Sequence, residues 1–140
     1  MRLWHKDLIR VLPRQQLLGQ WRECCSIAKS IKESGAPNHI LVNKIKEYPE
    51  EHFWAYAMLV RDDMIRRGYR CDISKFGQYC PNGWLERAND IEFDYMFIFY
   101  GWHTFRYLRQ CYYNLQEKRD CGAISKEEWE KIEKEVEGLR

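Results

Sequence analysis

Glu23 and Arg22, with Gln15, Gln16 and Gln20 close before them, are the residues whose types and spacing point first to chemistry in this 140-residue chain. A carboxylate moves protons and stabilises positive charge, a guanidinium holds anions, and a side-chain amide donates hydrogen bonds without titrating. Gln15, Gly19 and Arg22 recur at steps of four and three, and so do Gln16, Gln20 and Glu23. On a helix these make two polar rows. Leu17, Trp21, Cys24, Ala28 and Ile31 follow the same steps beside them and mark the buried stripe. Gly19 costs about 1 kcal/mol against alanine inside a helix. Its presence implies that backbone or ligand approaches closely there, the N-terminal peptide being one candidate.

The elements that must position these groups are helical. Pro13, with no amide hydrogen to leave unpaired, suits the first helical residue of a segment running to Glu33 and stopped at Ser34-Gly-Ala-Pro37. Ahead of it, Leu3, Trp4, Leu8, Ile9, Val11 and Leu12 carry enough apolar surface to pin residues 1–12 against the body of the protein. Residues 38–48 are ambiguous, with an apolar patch at Ile40, Leu41 and Val42. A second helix is expected from Pro49, with Glu50 and Glu51 at its positive end, to Arg66 and Arg67 before Gly68. Residues 70–93 read as a long surface loop with one turn of helix at most. From Asp94 to Arg119 the helical period returns through Leu108, Cys111, Tyr112 and Leu115, with Gly101 a point of bending or division. A last helix opens on a capping box, Ser125 to Glu128, and buries Trp129, Ile132 and Val136. With no strand pattern, the expected fold is all-α: a compact bundle of three main helices plus a short C-terminal one, forming a single domain over residues 1–140.

Composition bounds the function. At 45% hydrophobic the chain can build a core without staples. Its six cysteines contain no CxxC pair, which gives no metal-ligand spacing and implies reduced thiols. No apolar run reaches membrane-spanning length, and the charged first residues are unlike a secretory signal, so a cytoplasmic protein is expected. The net charge of +2 is small, but residues 1–32 hold seven basic side chains (Arg2, Lys6, Arg10, Arg14, Arg22, Lys29, Lys32) against Asp7 and Glu23. Residues 126–137 carry six glutamates against three lysines. A phosphate backbone would be drawn to the first region and repelled by the second.

The opening MRLWH, the run LPRQQLLGQWREC with its Arg22-Glu23 pair, and the stretch FWAYAMLVRDDMIRRGY resemble the pyrimidine-dimer DNA glycosylases of the phage endonuclease V type, in their small bacterial branch. Asn114-Leu-Gln-Glu-Lys118 is a weaker similarity. The resemblance implies an endonuclease V-like fold and a bifunctional DNA glycosylase and abasic-site lyase. Such an enzyme acts as a monomer on damaged double-stranded DNA, without metal or organic cofactor. It needs an amine that forms a Schiff base with the sugar C1′ and a carboxylate that stabilises charge and moves protons. An α-amine has a reference pKa of about 7.7 to 8.0, against about 10.4 for lysine, and so needs less tuning near neutral pH. The family roles carry over to Met1 as nucleophile and Glu23 as essential carboxylate, with Arg22 in DNA contact and in tuning Glu23. Arg2, Gln15 and Gln16 are the remaining contacts near the lesion, and Lys118 contacts DNA from the third helix.

Four features depart from the phage pattern. Arg2 is bulky and should block removal of Met1; Gln16 stands where the phage enzyme has a histidine; Asn114 replaces an arginine; and an acidic helix replaces an aromatic C-terminal tail. Readings from the residues alone stay open beside this one. The Arg-Glu pair also suits an ordinary solvated helix face, and His5 and His103 are either phosphate ligands or, more commonly for lone histidines, structural groups. The aromatic-basic stretch from Trp102 to Tyr113 either stacks on bases or, the commoner case, fills the core. A non-catalytic nucleic-acid-binding module on the same scaffold, or an amine-catalysed enzyme on another lesion, are the alternative functions.

Overall fold

The structure is a computed structural model that describes residues 1–37, 39–89 and 97–139. Among these the regular elements are all helical: α1 (Arg14–Ser34), α2 (Glu50–Arg66), the short α3 (Ser74–Gly77) and α4 (Trp84–Asn89), α5 (Phe105–Asp120) and α6 (Lys126–Gly138), with 3-10 helices at Lys6–Val11 and Asn43–Glu47. No helix among the described residues is long and apolar enough to cross a membrane. The all-α expectation holds.

Helix α2 is the centre. Phe53, Trp54, Tyr56, Ala57, Met58, Val60 and Met64 are all buried, more than one stripe can account for. A helix apolar around most of its circumference must be covered on several sides, and α1, α4 and both 3-10 helices pack against it. Pro13 and Pro49 sit one residue earlier than the first-turn position expected of Pro13, as the N-caps of α1 and α2. The ring has no amide to satisfy at either place. The expected stripe on α1 is buried at Leu17, Trp21, Cys24 and Ala28, with Ile27 added and Ile31 packed at the edge.

The N-terminal segment is pinned as its composition predicts. Leu3, Leu8, Ile9 and Leu12 are 0 to 3% exposed, each stabilising the docked segment by about 1.5 to 3 kcal/mol on area grounds. Its last carbonyls are clamped by the basic end of α2. Arg67 donates to the Leu12, Ile9 and Arg10 carbonyl oxygens (2.7, 3.1 and 3.1 Å), and Arg66 to that of Arg10 (3.1 Å). Both guanidiniums are held by the buried carboxylate of Asp63. Glu128 ties in the other end: one oxygen closes the capping box of α6 on Ser125, and the other accepts the Arg14 amide at the start of α1.

Two expectations change. Residues 70–89 are not a plain loop, because Phe76 is fully buried among the rings of Trp21, Phe53 and Trp84. The Trp84 indole crosses so close to Gly77 that an added Cβ would lie 3.1 Å from it. One buried aromatic docks the segment where the sequence has no periodic stripe. The helix expected from Asp94 begins only at Phe105, capped by the Thr104 hydroxyl. Before it the chain turns through Phe99 (φ 56°) and Gly101 (φ 87°), left-handed conformations that end any helical run. Asp94 to Met96 lie outside the described residues.

Candidate active site

The first residues run along α1 as a segment read by one side chain. Gln20, 1% exposed, accepts the Trp4 amide hydrogen on Oε1 at 2.7 Å and donates from Nε2 to the Arg2 carbonyl at 3.0 Å. Two backbone partners on one amide set both the position and the register of the segment. The Tyr56 hydroxyl lies 2.5 Å from the Trp4 carbonyl oxygen and 3.1 Å from Gln20 Oε1, and its single hydrogen serves the nearer. Tyr107 donates to the Leu3 carbonyl. Burial raises the pKa of both phenols, which keeps them protonated as these contacts require.

Glu23 closes the arrangement one turn further along the Gln20 row. Its Oε2 accepts from the Arg2 amide and from Gln20 Nε2, both at 3.3 Å. The Arg2 amide is the next nitrogen along the chain from the Met1 amine, and Met1 and Glu23 both line one cleft. Arg2 itself extends its guanidinium over the Trp4 ring at 5.6 Å and to Cys111 Sγ at 3.9 Å.

His5, at the end of this segment, packs on His103. Their rings stack at 5.0 Å, His5 Nε2 donates to the His103 carbonyl at 3.0 Å, and His103 Nδ1 accepts the Lys6 amide hydrogen at 3.0 Å. Burial, opposed in part at His5 by Asp7, lowers both pKa values and holds the pair neutral. At 3 and 8% exposure neither reaches a ligand. They are structural, as lone histidines more commonly are.

Two clefts meet at Arg2 and Leu41. The smaller, about 290 Å³, is lined by Met1, Arg2, Trp4, Glu23, Leu41, Asn114 and Lys118. The larger, about 600 Å³, lies along Arg2, Ile40, Leu41, Lys44, Trp102, Arg106, Tyr107 and Gln110. Arg106, Gln110, Asn114 and Lys118 are spaced by four on α5 and form one row past both. The walls therefore hold four cations, Arg2, Lys44, Arg106 and Lys118, against the Glu23 carboxylate.

Of the residues singled out from sequence, Met1, Arg2, Glu23 and Lys118 converge on the smaller cleft. Gln16 lies on the Glu23 row two turns back, its Oε1 buried without a hydrogen-bond partner among the described residues. Gln15 and Arg22 are exposed on the neighbouring row and line neither cleft. The Arg22 guanidinium folds back over Gly19, where an added Cβ would meet only its Nη2, at 3.8 Å. No backbone crosses there: the N-terminal peptide packs on Gln20 instead.

The basic excess of residues 1–32 is also not one patch. Lys6 is buried against the Ile98 carbonyl, Arg10 reaches Glu135, Arg14 covers Tyr69, and Lys32 donates to the Gln78 carbonyl. Sequence reasoning did not separate Gln20 from its neighbours as the hub, although its place between Gln16 and Glu23 on one row was the available signal. Gln20→Leu keeps the volume and orphans the Trp4 amide and the Arg2 carbonyl. At about 1 to 3 kcal/mol for each orphaned group, a marked fall in the denaturation midpoint is expected, read by urea unfolding. An unchanged midpoint would mean that water replaces the amide.

Comparison with curated proteins gives no match, and neither does comparison with solved structures. A family model described as pyrimidine dimer DNA glycosylase matches residues 1–76, the part that holds the N-terminal segment, α1, α2 and most of α3. That match covers more than half of the 140 residues and includes the Met1, Gln20 and Glu23 constellation. The all-helical fold and the expected resemblance agree with it, and the chain belongs to the pyrimidine dimer DNA glycosylase family.

Proposed function

We propose that the protein is a single-domain DNA glycosylase and abasic-site lyase for double-stranded DNA carrying pyrimidine dimers, with the Met1 amine as nucleophile and Glu23 as the essential carboxylate. The observation that supports this reading is the Arg2 amide bond to Glu23, one residue from the chain's first nitrogen, in a cleft that Met1 and Glu23 line together with Arg2 and Lys118. The amine lone pair forms a bond to C1′ as the glycosidic bond breaks, and the departing base takes the glycosidic electron pair and a proton from the amine. The nitrogen's electron pair then forms the C1′ iminium as the C1′–O4′ bond breaks, and O4′ leaves as a hydroxyl with a proton from solvent. Glu23 stabilises the iminium charge and accepts the C2′ proton. The electrons released then expel the 3′ phosphate and cut the strand.

Extruding a nucleotide at a damaged pair costs only a few kcal/mol, because the pair is already weakened. Arg2 and Lys118 hold the flanking phosphates at the smaller cleft, Lys44 and Arg106 at the larger. Arg22, Gln15 and Gln16 make contacts along α1 outside the clefts. The test is borohydride reduction with defined duplexes, each holding a cyclobutane dimer, a plain abasic site or no lesion. A covalent adduct at the Met1 nitrogen on dimer DNA is expected. Its absence from every lesion duplex would overturn the reading and favour a binding module on this scaffold.

DNA affinity should fall steeply with salt. Arg22→Ala and Lys118→Ala are each expected to lower the slope of log affinity against log salt by about one phosphate's share. Lys131→Ala and Lys134→Ala, on the acidic face of α6, leave it unchanged. Binding isotherms over a salt series read this, and unchanged slopes in the first two variants would exclude a DNA path along α1 and α5.

A further inference from the structure

We propose that Ile40 and Leu41 form an apolar wedge that enters the base stack beside the lesion and holds the duplex open while the sugar reaches the amine and carboxylate. The inference rests on the proposed function and adds a positioning device to it. Ile40 is 85% exposed and Leu41 51%, whereas the next residue, Val42, is fully buried. A lone exposed aliphatic needs no explanation. These two are adjacent, and their turn is closed by its own hydrogen bonds. The His39 carbonyl accepts the amide hydrogens of Val42 and Asn43, His39 Nδ1 accepts that of Leu41, and the Asn43 side chain accepts that of His39. The turn is thus bonded within itself and nailed down by Val42, so the two side chains are held out into solvent.

Their position makes the pair informative. Leu41 lines both clefts and Ile40 the larger, so the pair stands between the Met1 and Glu23 site and the basic wall of Lys44 and Arg106. Cations on each side suit phosphates, and aliphatic groups do nothing for phosphates. A ligand that satisfies both is one with a charged exterior and an apolar stacked interior. Duplex DNA has that structure, and apolar wedges that part a base step are repaid by the contacts the bent duplex then makes. Parting the base step kinks the duplex and turns the sugar toward the cleft amine, which gives the wedge its task.

The experiment places 2-aminopurine beside the dimer and follows its fluorescence on binding, alongside borohydride trapping and strand cleavage. Ile40→Ala with Leu41→Ala is compared with the conservative Ile40→Leu with Leu41→Met. Both pairs keep the wild-type melting temperature, since the side chains are in solvent. The wild type brightens the probe and the alanine pair does not. Cleavage of the fully paired duplex by the alanine pair falls about ten- to a hundredfold. It returns to near the wild-type rate on a duplex left unpaired opposite the lesion, and the conservative pair recovers the wild-type behaviour on both.

Equal losses on paired and unpaired duplexes, or unaltered probe fluorescence in the alanine pair, would overturn the wedge. If in addition the alanine pair loses binding to vesicles of anionic phospholipid that the wild type shows, the pair belongs to a membrane contact instead. Failure of the wild type to trap on any lesion counts against the proposed chemistry, and the probe on lesion DNA still reads the wedge separately.

Discussion

Acetylation of the Met1 amine, or any residue added ahead of it, is expected to abolish borohydride trapping and strand cleavage while leaving the melting temperature unchanged. The chemical reason is that an amide nitrogen has no lone pair available for attack at C1′. The structural reason is that Met1 is 44% exposed at the mouth of the cleft and the core begins at Leu3, so the fold does not depend on a free terminus. Binding to lesion duplexes should survive acetylation better than an added tag, which also occupies the cleft. A tagged protein with full activity would remove Met1 from the mechanism. The sequence makes Lys6 the next amine to test, but its Nζ is bonded to the Ile98 carbonyl in the interior at 2.9 Å. Lys118, which lines the cleft, takes that place.

Glu23→Gln is expected to retain lesion affinity and fold while losing turnover. Both hydrogen bonds that Glu23 accepts, from the Arg2 amide and from Gln20 Nε2, fall on one oxygen, Oε2. A glutamine can present its amide oxygen there and keep both, so the N-terminal segment stays in place. What it loses is the negative charge and the ability to take a proton. General acid-base assistance contributes about 100- to 10,000-fold, and the lost stabilisation of the iminium adds to it. Single-turnover cleavage against a dimer duplex, with the melting curve of the same preparation, separates the two roles. A lowered melting temperature with full activity per folded molecule would make Glu23 structural and favour the binding-module reading.

How much of this was legible depended on the range of the interaction. Helix α6 could be read nearly to the residue, because the Ser125 and Glu128 box and the Trp129, Ile132 and Val136 stripe are contacts between near neighbours. The ends of α2 were equally plain, with acids in its first turn, Arg66 in its last and Gly68 in a left-handed conformation just beyond. Phe76 was not legible as core, since its burial depends on rings from α1, α2 and α4. The start of α5 was misplaced because the turns at Phe99 and Gly101 interrupt an otherwise continuous run of aromatic residues.

The same division runs through the candidate site. The sequence by itself determined an all-helical chain, a helix carrying Gln16, Gln20 and Glu23 along one row, an apolar N-terminal segment that had to dock, and a short linear pattern that carries the family resemblance, which in turn implies roles for Met1 and Glu23. Each follows from the helical period, local caps or a short linear pattern. Only the tertiary structure decided which of the two polar rows on α1 faces the N-terminal segment and which, with Arg22, faces solvent. It also turned Lys6, Arg10, Arg14 and Lys32 to internal partners, buried His5 on His103, and brought Leu41 and the α5 row of Arg106 to Lys118 up to Glu23. The physical reason is that spacing constrains only residues a turn or two apart. Convergence of the chain start, α1, the His39 turn and α5 is set by which apolar faces bury one another and by the buried amide of Gln20 that fixes the position of the N-terminal segment.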